Sequence, residues 1–141
     1  MSRIVVGVDG SEHSARAVRW AVEEARLRGA KLEIVHATPN PGTPAGPVVV
    51  PPPPAGELRA AGLDVIEESV SEVDTTPVAV ERTADSGTPA GRLCRAARGA
   101  DLLVVGSRGS GGFRGLRLGS VAQQVLSHAP CPVAVIVPED R

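Results

Sequence analysis

Two short segments of this sequence carry residue types that can do chemistry with anions. The stretch from Gly106 to Ser120, GSRGSGGFRGLRLGS, holds six glycines and the arginines Arg108, Arg114 and Arg117. Glycine has no β-carbon, so backbone N–H groups there can approach an oxyanion closely, and a helix starting where the stretch ends adds roughly half a positive charge. The arginines can supply charge-assisted contacts. The second segment, Asp9-Gly10-Ser11, offers a carboxylate and a hydroxyl. An Asp there either caps the following helix or meets a ligand, and the two roles are compatible. The glycine-rich stretch also has a plainer reading as a flexible surface loop in which Ser120 only caps its own helix.

The commoner phosphate-binding patterns are absent. The sole lysine, Lys31, lies in a predicted strand, so no GxxxxGK[ST] loop exists, and Gly109-Ser-Gly111 runs into Phe113-Arg114, which breaks GxGxxG. Cys94 and Cys131 lie far apart with no CxxC spacing and read as packing residues. His13, His36 and His128 fall at helix or strand ends and read as structural or solvent-facing, with His36 nearest the expected site. Fast phosphoryl transfer needs a cationic clamp, a metal and a positioned water or base, and of these only the arginines are evident. Binding without rapid turnover is expected; slow hydrolysis using Asp9 and Mg²⁺ is the enzymatic alternative, and a ligand-free or cyclic-nucleotide interaction module is a third.

The elements that must position these segments follow from composition and period. A chain of 141 residues with 42% hydrophobic content closes one core and leaves too little for a second, so a single domain over 1–141 is expected. Trp20 and Phe113 are the only aromatics, which leaves Val, Leu, Ile and Ala to build a sheet buried on both faces. A net charge of -1 offers no general field for nucleic acid or an anionic membrane. No apolar run approaches the roughly 20 residues a membrane span needs, and Met1-Ser2-Arg3 leads directly into a strand, so a cytoplasmic location is expected.

Strands are predicted over Arg3 to Asp9, Lys31 to Ala37, Pro77 to Thr83, Asp101 to Gly106 and Pro132 to Val137, the third at an edge. Helices are predicted from Ser11 to a stop at Gly29, over Glu57 to Val73, from a Thr88-Pro89 cap to Gly99, and from a Ser120–Gln123 capping box to His128. Gly62 should weaken the second helix by about 1 kcal/mol relative to Ala. The proline-rich segment Pro39 to Pro54 is a long loop, partly polyproline II, that could serve as a lid or a partner surface. The expected class is α/β: a five-stranded parallel, doubly wound, Rossmann-like sheet of order 3-2-1-4-5 with four helices. Ligands in such sheets sit beyond the carboxyl ends of the strands where the order reverses, between the first and fourth. That placement would bring Asp9 opposite Gly106 to Gly109.

The spacing Gly106-x2-Gly109-x9-Gly119-Ser120 resembles the GxxG, nine residues, G[ST] pattern of the ATP-binding branch of the universal stress protein family. The resemblance extends to Gly7-Val-Asp9-Gly-Ser11, Val35-His36-Ala37, Asp101 to Gly109 and Ala129-Pro-Cys131-Pro-Val133, and leaves out the proline loop and the helix after it. It implies an ATP site in which Gly106, Gly109, Gly119, Ser120 and Val121 hold phosphates and ribose, with Arg108 beside them. By the same resemblance Gly7, Val8 and Asp9 lie along the ribose and adenine or near a Mg²⁺, and the backbone of Ala37 and Val105 meets the base. AMP, ADP and cyclic AMP are alternative ligands. It further implies a homodimer formed through the last strand, Val133 to Val137; a plain buried edge strand explains the same letters.

Overall fold

Apolar residues of the first strand alternate between two cores, and that alternation organises the whole fold. The structure, a computed structural model, describes residues 2–39, 54–109 and 118–139. On β1 (Arg3–Gly7), Ile4 and Val6 are buried against α1 (Glu12–Arg28) and α2 (Ala55–Val70), while Val5 faces α3 (Pro89–Ala96) and α4 (Ser120–His128). Leu32 and Ile34 of β2 (Lys31–Thr38) join the first core with Val18, Val22 and Ile66. Leu103 and Val105 of β4 (Leu102–Gly106) join the second with Leu93 and Val125. Each such side chain taken fully out of water contributes about 1.5–3 kcal/mol.

The sheet is parallel with order β3-β2-β1-β4-β5, as expected, where β3 is Val80–Ser86 and β5 is Val133–Ile136. In register, Val6 sits between Ile34 of β2 and Val104 of β4. The order reverses between β1 and β4, so their carboxyl ends open into one crevice.

Helix ends follow local chemistry. Ser11 caps α1 by accepting the Ser14 N–H at 3.2 Å, and Gly29, at φ 65°, ends it in the left-handed conformation that glycine adopts without penalty. Gly62 in α2 does more than weaken the helix. A β-carbon there would lie 2.9 Å from the Ala84 Cβ and 3.1 Å from the His36 Cδ2, so its absence is what seats α2 on β2 and β3.

Several element ends differ from expectation, among them α2, which spans Ala55–Val70 rather than Glu57 to Val73. The third strand begins at Val80 rather than Pro77, although it is an edge as predicted. Arg26 of α1 donates to the Thr76 carbonyl at 3.0 Å and the Asp74 carbonyl at 2.7 Å, and Val78 N–H closes a turn on Thr75 O. Those groups are therefore withheld from the ladder, whose first bond here runs from Leu32 N–H to Ala79 O. Thr88 starts α3 but makes no side-chain cap bond; Pro89 alone fits the first turn. The capping box at Ser120 is also corrected. Gly119 is the N-cap, Ser120 is the first helical residue, and the Gln123 amide donates to Leu118 O at 3.0 Å instead of reaching a cap N–H. The polar edge β3 is held by side chains: Lys31 donates to Glu81 at 2.7 Å and keeps that carboxyl below its ordinary range, and Arg82 pairs with Glu67. Nearly all of the proline loop, 40–53, lies outside the described residues, as do Phe113, Arg114 and Arg117. Among the described residues no helix is long and apolar enough to cross a membrane.

Candidate functional site

The end of β1 is extended by one bond, Val8 N–H to Val35 O at 2.9 Å, and then turns sharply at Gly10, φ 87°. Asp9 holds that turn. Its Oδ1 accepts the Ser11 N–H at 2.9 Å, and its own N–H donates to the Ser14 hydroxyl at 3.2 Å. Ser11 therefore caps α1, and Asp9 braces the turn before the cap. On the next strand the His36 Nδ1–H donates to the Val8 carbonyl at 2.8 Å, which fixes the ring tautomer and its orientation.

The end of β4 faces this turn at less than side-chain distance. A β-carbon on Gly109 would lie 2.7 Å from Asp9 Oδ2, and one on Gly106 would lie 2.9 Å from the His13 carbonyl oxygen. Glycine at these two positions is a packing requirement of the crevice. Gly7 gives up its side-chain space in the same way, to Leu93 of α3, whose Cδ1 would be 2.7 Å from a β-carbon there.

The start of α4 is tied back to the β4 loop by one short bond, Gly119 N–H to Ser107 O at 2.7 Å. Gly119 packs so closely that a β-carbon would be 3.2 Å from the Arg108 Cα and 3.3 Å from the Gly109 nitrogen. Its N–H is thus committed to the protein and fixes the cradle. The N–H groups of Ser120, Val121 and Ala122 have no backbone acceptor among the described residues, as expected of a first helical turn. They supply the positive end of the helix dipole.

These parts enclose a cleft of about 530 Å³. The residues that the resemblance implies as nucleotide contacts line it: Gly7, Val8 and Asp9 from the β1 end, Ala37 from β2, Val105, Gly106, Arg108 and Gly109 from the β4 end, and Gly119, Ser120 and Val121 from the start of α4. One end of the cleft is built of glycine backbone and helix N–H groups, and the other is apolar, with Ala37, Pro39, Leu93 and Val105. Such a shape accepts a molecule with an anionic head and a flat apolar body. Arg114 and Arg117 lie outside the described residues.

Sequence reasoning missed the wall supplied by α3, Pro89 and Leu93, and the floor residue Ser14. Leu93 follows helical spacing and reads as ordinary core; its contact with Gly7 joins residues distant in sequence and leaves no local signal. Among the described residues no three His, Cys, Asp or Glu gather as a metal site. Cys94 and Cys131 are half-buried free thiols, and burial pushes both thiol pKa values up, as inert packing residues require.

Ser107 stands apart. It is 1% exposed, and its hydroxyl has no hydrogen-bond partner among the described residues. A buried orphan hydroxyl costs free energy. Ser107→Ala should therefore raise unfolding stability by about 1 kcal/mol in a urea titration, leaving ligand affinity unchanged; a loss of stability would show that the hydroxyl has a partner in solution.

Fold and site together define a doubly wound α/β fold with a cleft at its switch point lined by glycine backbone and the start of α4. The model of the universal stress protein family matches residues 1–137, and the chain belongs to that family. It is 37% identical over 146 residues to universal stress protein Rv2623 of Mycobacterium tuberculosis, covering 97% of this chain and 48% of that protein. The chain thus spans about half the length of that relative. It is 32% identical to universal stress protein YxiE of Bacillus subtilis, over 96% of this chain and 98% of that one. Among solved structures, a universal stress protein in complex with cAMP superposes with a TM-score of 0.68 at 29% identity, covering 96% of each chain. The Archaeoglobus fulgidus universal stress protein in complex with dAMP gives 0.61 at 28% identity, covering 96% of this chain and 98% of that one.

Proposed function

We propose that this chain forms a single adenine-nucleotide-binding domain, with ATP as its ligand, and works as a nucleotide-responsive regulatory module in stress adaptation in the cytoplasm. The observation that carries this reading is the two-ended cleft at the β1/β4 switch point, glycine and helix N–H groups at one end and Ala37, Leu93 and Val105 at the other. The phosphates would lie against Gly109, Ser120 and Val121 with Arg108 beside them, the ribose along Val8 and Asp9, and the base between Ala37 and Val105. Relatives at 28% and 29% identity solved with dAMP and with cAMP support an adenine nucleotide as the class of ligand.

The donor set suits Mg²⁺ only in part. Among the described residues Asp9 is the one carboxylate lining the cleft, and its Oδ1 already accepts the Ser11 N–H. A Mg²⁺ ion would take its other oxygens from phosphates and water, as this ion commonly does. We further infer that β5 pairs with a second copy. It is a sheet edge of four half-buried residues followed by Val137, which is 38% exposed.

Calorimetry with ATP, ADP, AMP and cyclic AMP tests the reading: ATP should bind one-to-one and most tightly, and failure of all four to bind would sink it. Single-turnover assays with labelled ATP separate binding from slow hydrolysis. A rate above that of a Gly109→Asp control would move Asp9 into an enzymatic role.

A further inference from the structure

A second cleft, of about 570 Å³, lies on the outer side of α3 and shares no residue with the first. The helix separates them. Leu93 and Pro89 face the first cleft, whereas Thr88, Gly91, Arg92 and Arg95 line the second, which continues past the helix end to Arg98 and across to His128 of α4. Among the described residues no Asp or Glu lines it. On a chain whose net charge is -1, this is a local concentration of cations.

Among the described residues the guanidinium groups there form no ion pair. Ion pairs among the described residues use Arg3, Arg26, Arg28, Lys31 and Arg82, and none uses Arg92, Arg95 or Arg98. Arg92 is held in place: its Nε donates to the Ser86 carbonyl at 2.8 Å, and it lies over Gly87, where a β-carbon would come within 2.6 Å of that nitrogen. That single bond leaves both terminal nitrogens of the fork for a ligand. His128 donates from Nδ1 to the Gln124 carbonyl at 3.0 Å, so Nε2 is its remaining polar atom. Gly91 keeps the floor open, since a β-carbon there would meet the Thr88 hydroxyl at 2.6 Å. Arg92, Arg95 and Arg98 recur every third residue, a span of about 9 Å along the helix and its end. Three guanidinium forks lining one cleft match several phosphate groups in one molecule better than a single one.

We propose that this outer cleft is a second anion site, one that binds a compact oligophosphate. The ligand bridges Arg92, Arg95 and Arg98, and the Thr88 hydroxyl and His128 Nε2 complete its contacts. The site is independent of the nucleotide cleft.

Calorimetric titration of the intact protein with inorganic tripolyphosphate tests this. Binding should be one-to-one and weaken as salt is raised. The double variant Arg95→Glu/Arg98→Glu, changed at two exposed positions and checked by circular dichroism, should lose at least about tenfold in affinity, while Gly119→Glu should stay within about twofold of the parent. Loss of binding in Gly119→Glu with retention in the double variant would place the anion in the nucleotide cleft and overturn the proposal. Equal affinity in all three proteins would overturn it too, as would uptake of a polyglutamate peptide in place of tripolyphosphate.

Discussion

Gly119→Glu should reduce adenine-nucleotide affinity by at least about a hundredfold while leaving the far-ultraviolet circular dichroism spectrum intact. Two effects add. A carboxylate placed at the positive end of α4 cancels the field that would hold a phosphate, and it sits beside the N–H groups of Ser120 and Val121 and competes for them. The β-carbon itself would lie 3.2 Å from the Arg108 Cα, tight enough to shift the loop by a few tenths of an ångström, and the atoms nearest to it are loop backbone rather than core side chains. Backbone φ at Gly119 is -74°, so any residue can adopt it and the helix can still start. Titration calorimetry against AMP and ATP reads the loss. A variant that binds as the parent does would show that the α4 start does not face the ligand.

Gly106→Val is expected to act by a different route, through stability. The new β-carbon would meet the backbone of His13 at 2.9 Å from O and 3.0 Å from C, and a backbone in the first turn of a capped helix cannot rotate away as a side-chain tip can. Relief requires α1 to move off β4, against which it packs with Val18 and Val22 buried. A cost of about 3 kcal/mol follows from overpacking of this kind, read as a lower urea midpoint at unchanged slope. Ligand affinity should fall with it, because α1 carries Ser14 and the braced turn at Asp9. Wild-type stability in this variant would mean that the β4 loop and α1 are farther apart in solution.

Much of this architecture is legible in the chain itself. The apolar runs RIVVGVD and DLLVVG need no tertiary information to be read as strands of a sheet covered on both sides, and Ile4, Val5 and Val6 are all fully buried. The spacing of Gly106, Gly109 and Gly119 points to the cleft because the reason for glycine there is local, a backbone that must come close to something. What the letters hide is which partner a glycine yields to. Gly7 makes way for Leu93, Gly106 for His13 and Gly62 for Ala84, all contacts between residues distant in sequence. The start of β3 was hidden for the same reason, since Arg26 takes the carbonyls of Asp74 and Thr76 from across the fold. The capping box failed because Ser120 satisfies a pattern that the tie between Gly119 and Ser107 overrides by moving the cap back one residue. Helix α3 illustrates the limit most fully: only the packed helix shows Arg92 and Arg95 lining one cleft while Leu93 lines another.

The central claim, that a nucleotide sits between the β1 turn and the start of α4, is tested most directly by following backbone amide resonances of the isotopically labelled protein as ATP is added. The amides of Asp9, Gly109, Ser120 and Val121 should shift together and saturate at one equivalent, while those of α2 stay in place. Saturable shifts confined to Arg92 through Arg98, or no shift at Gly109 and Ser120 at millimolar ATP, would contradict it.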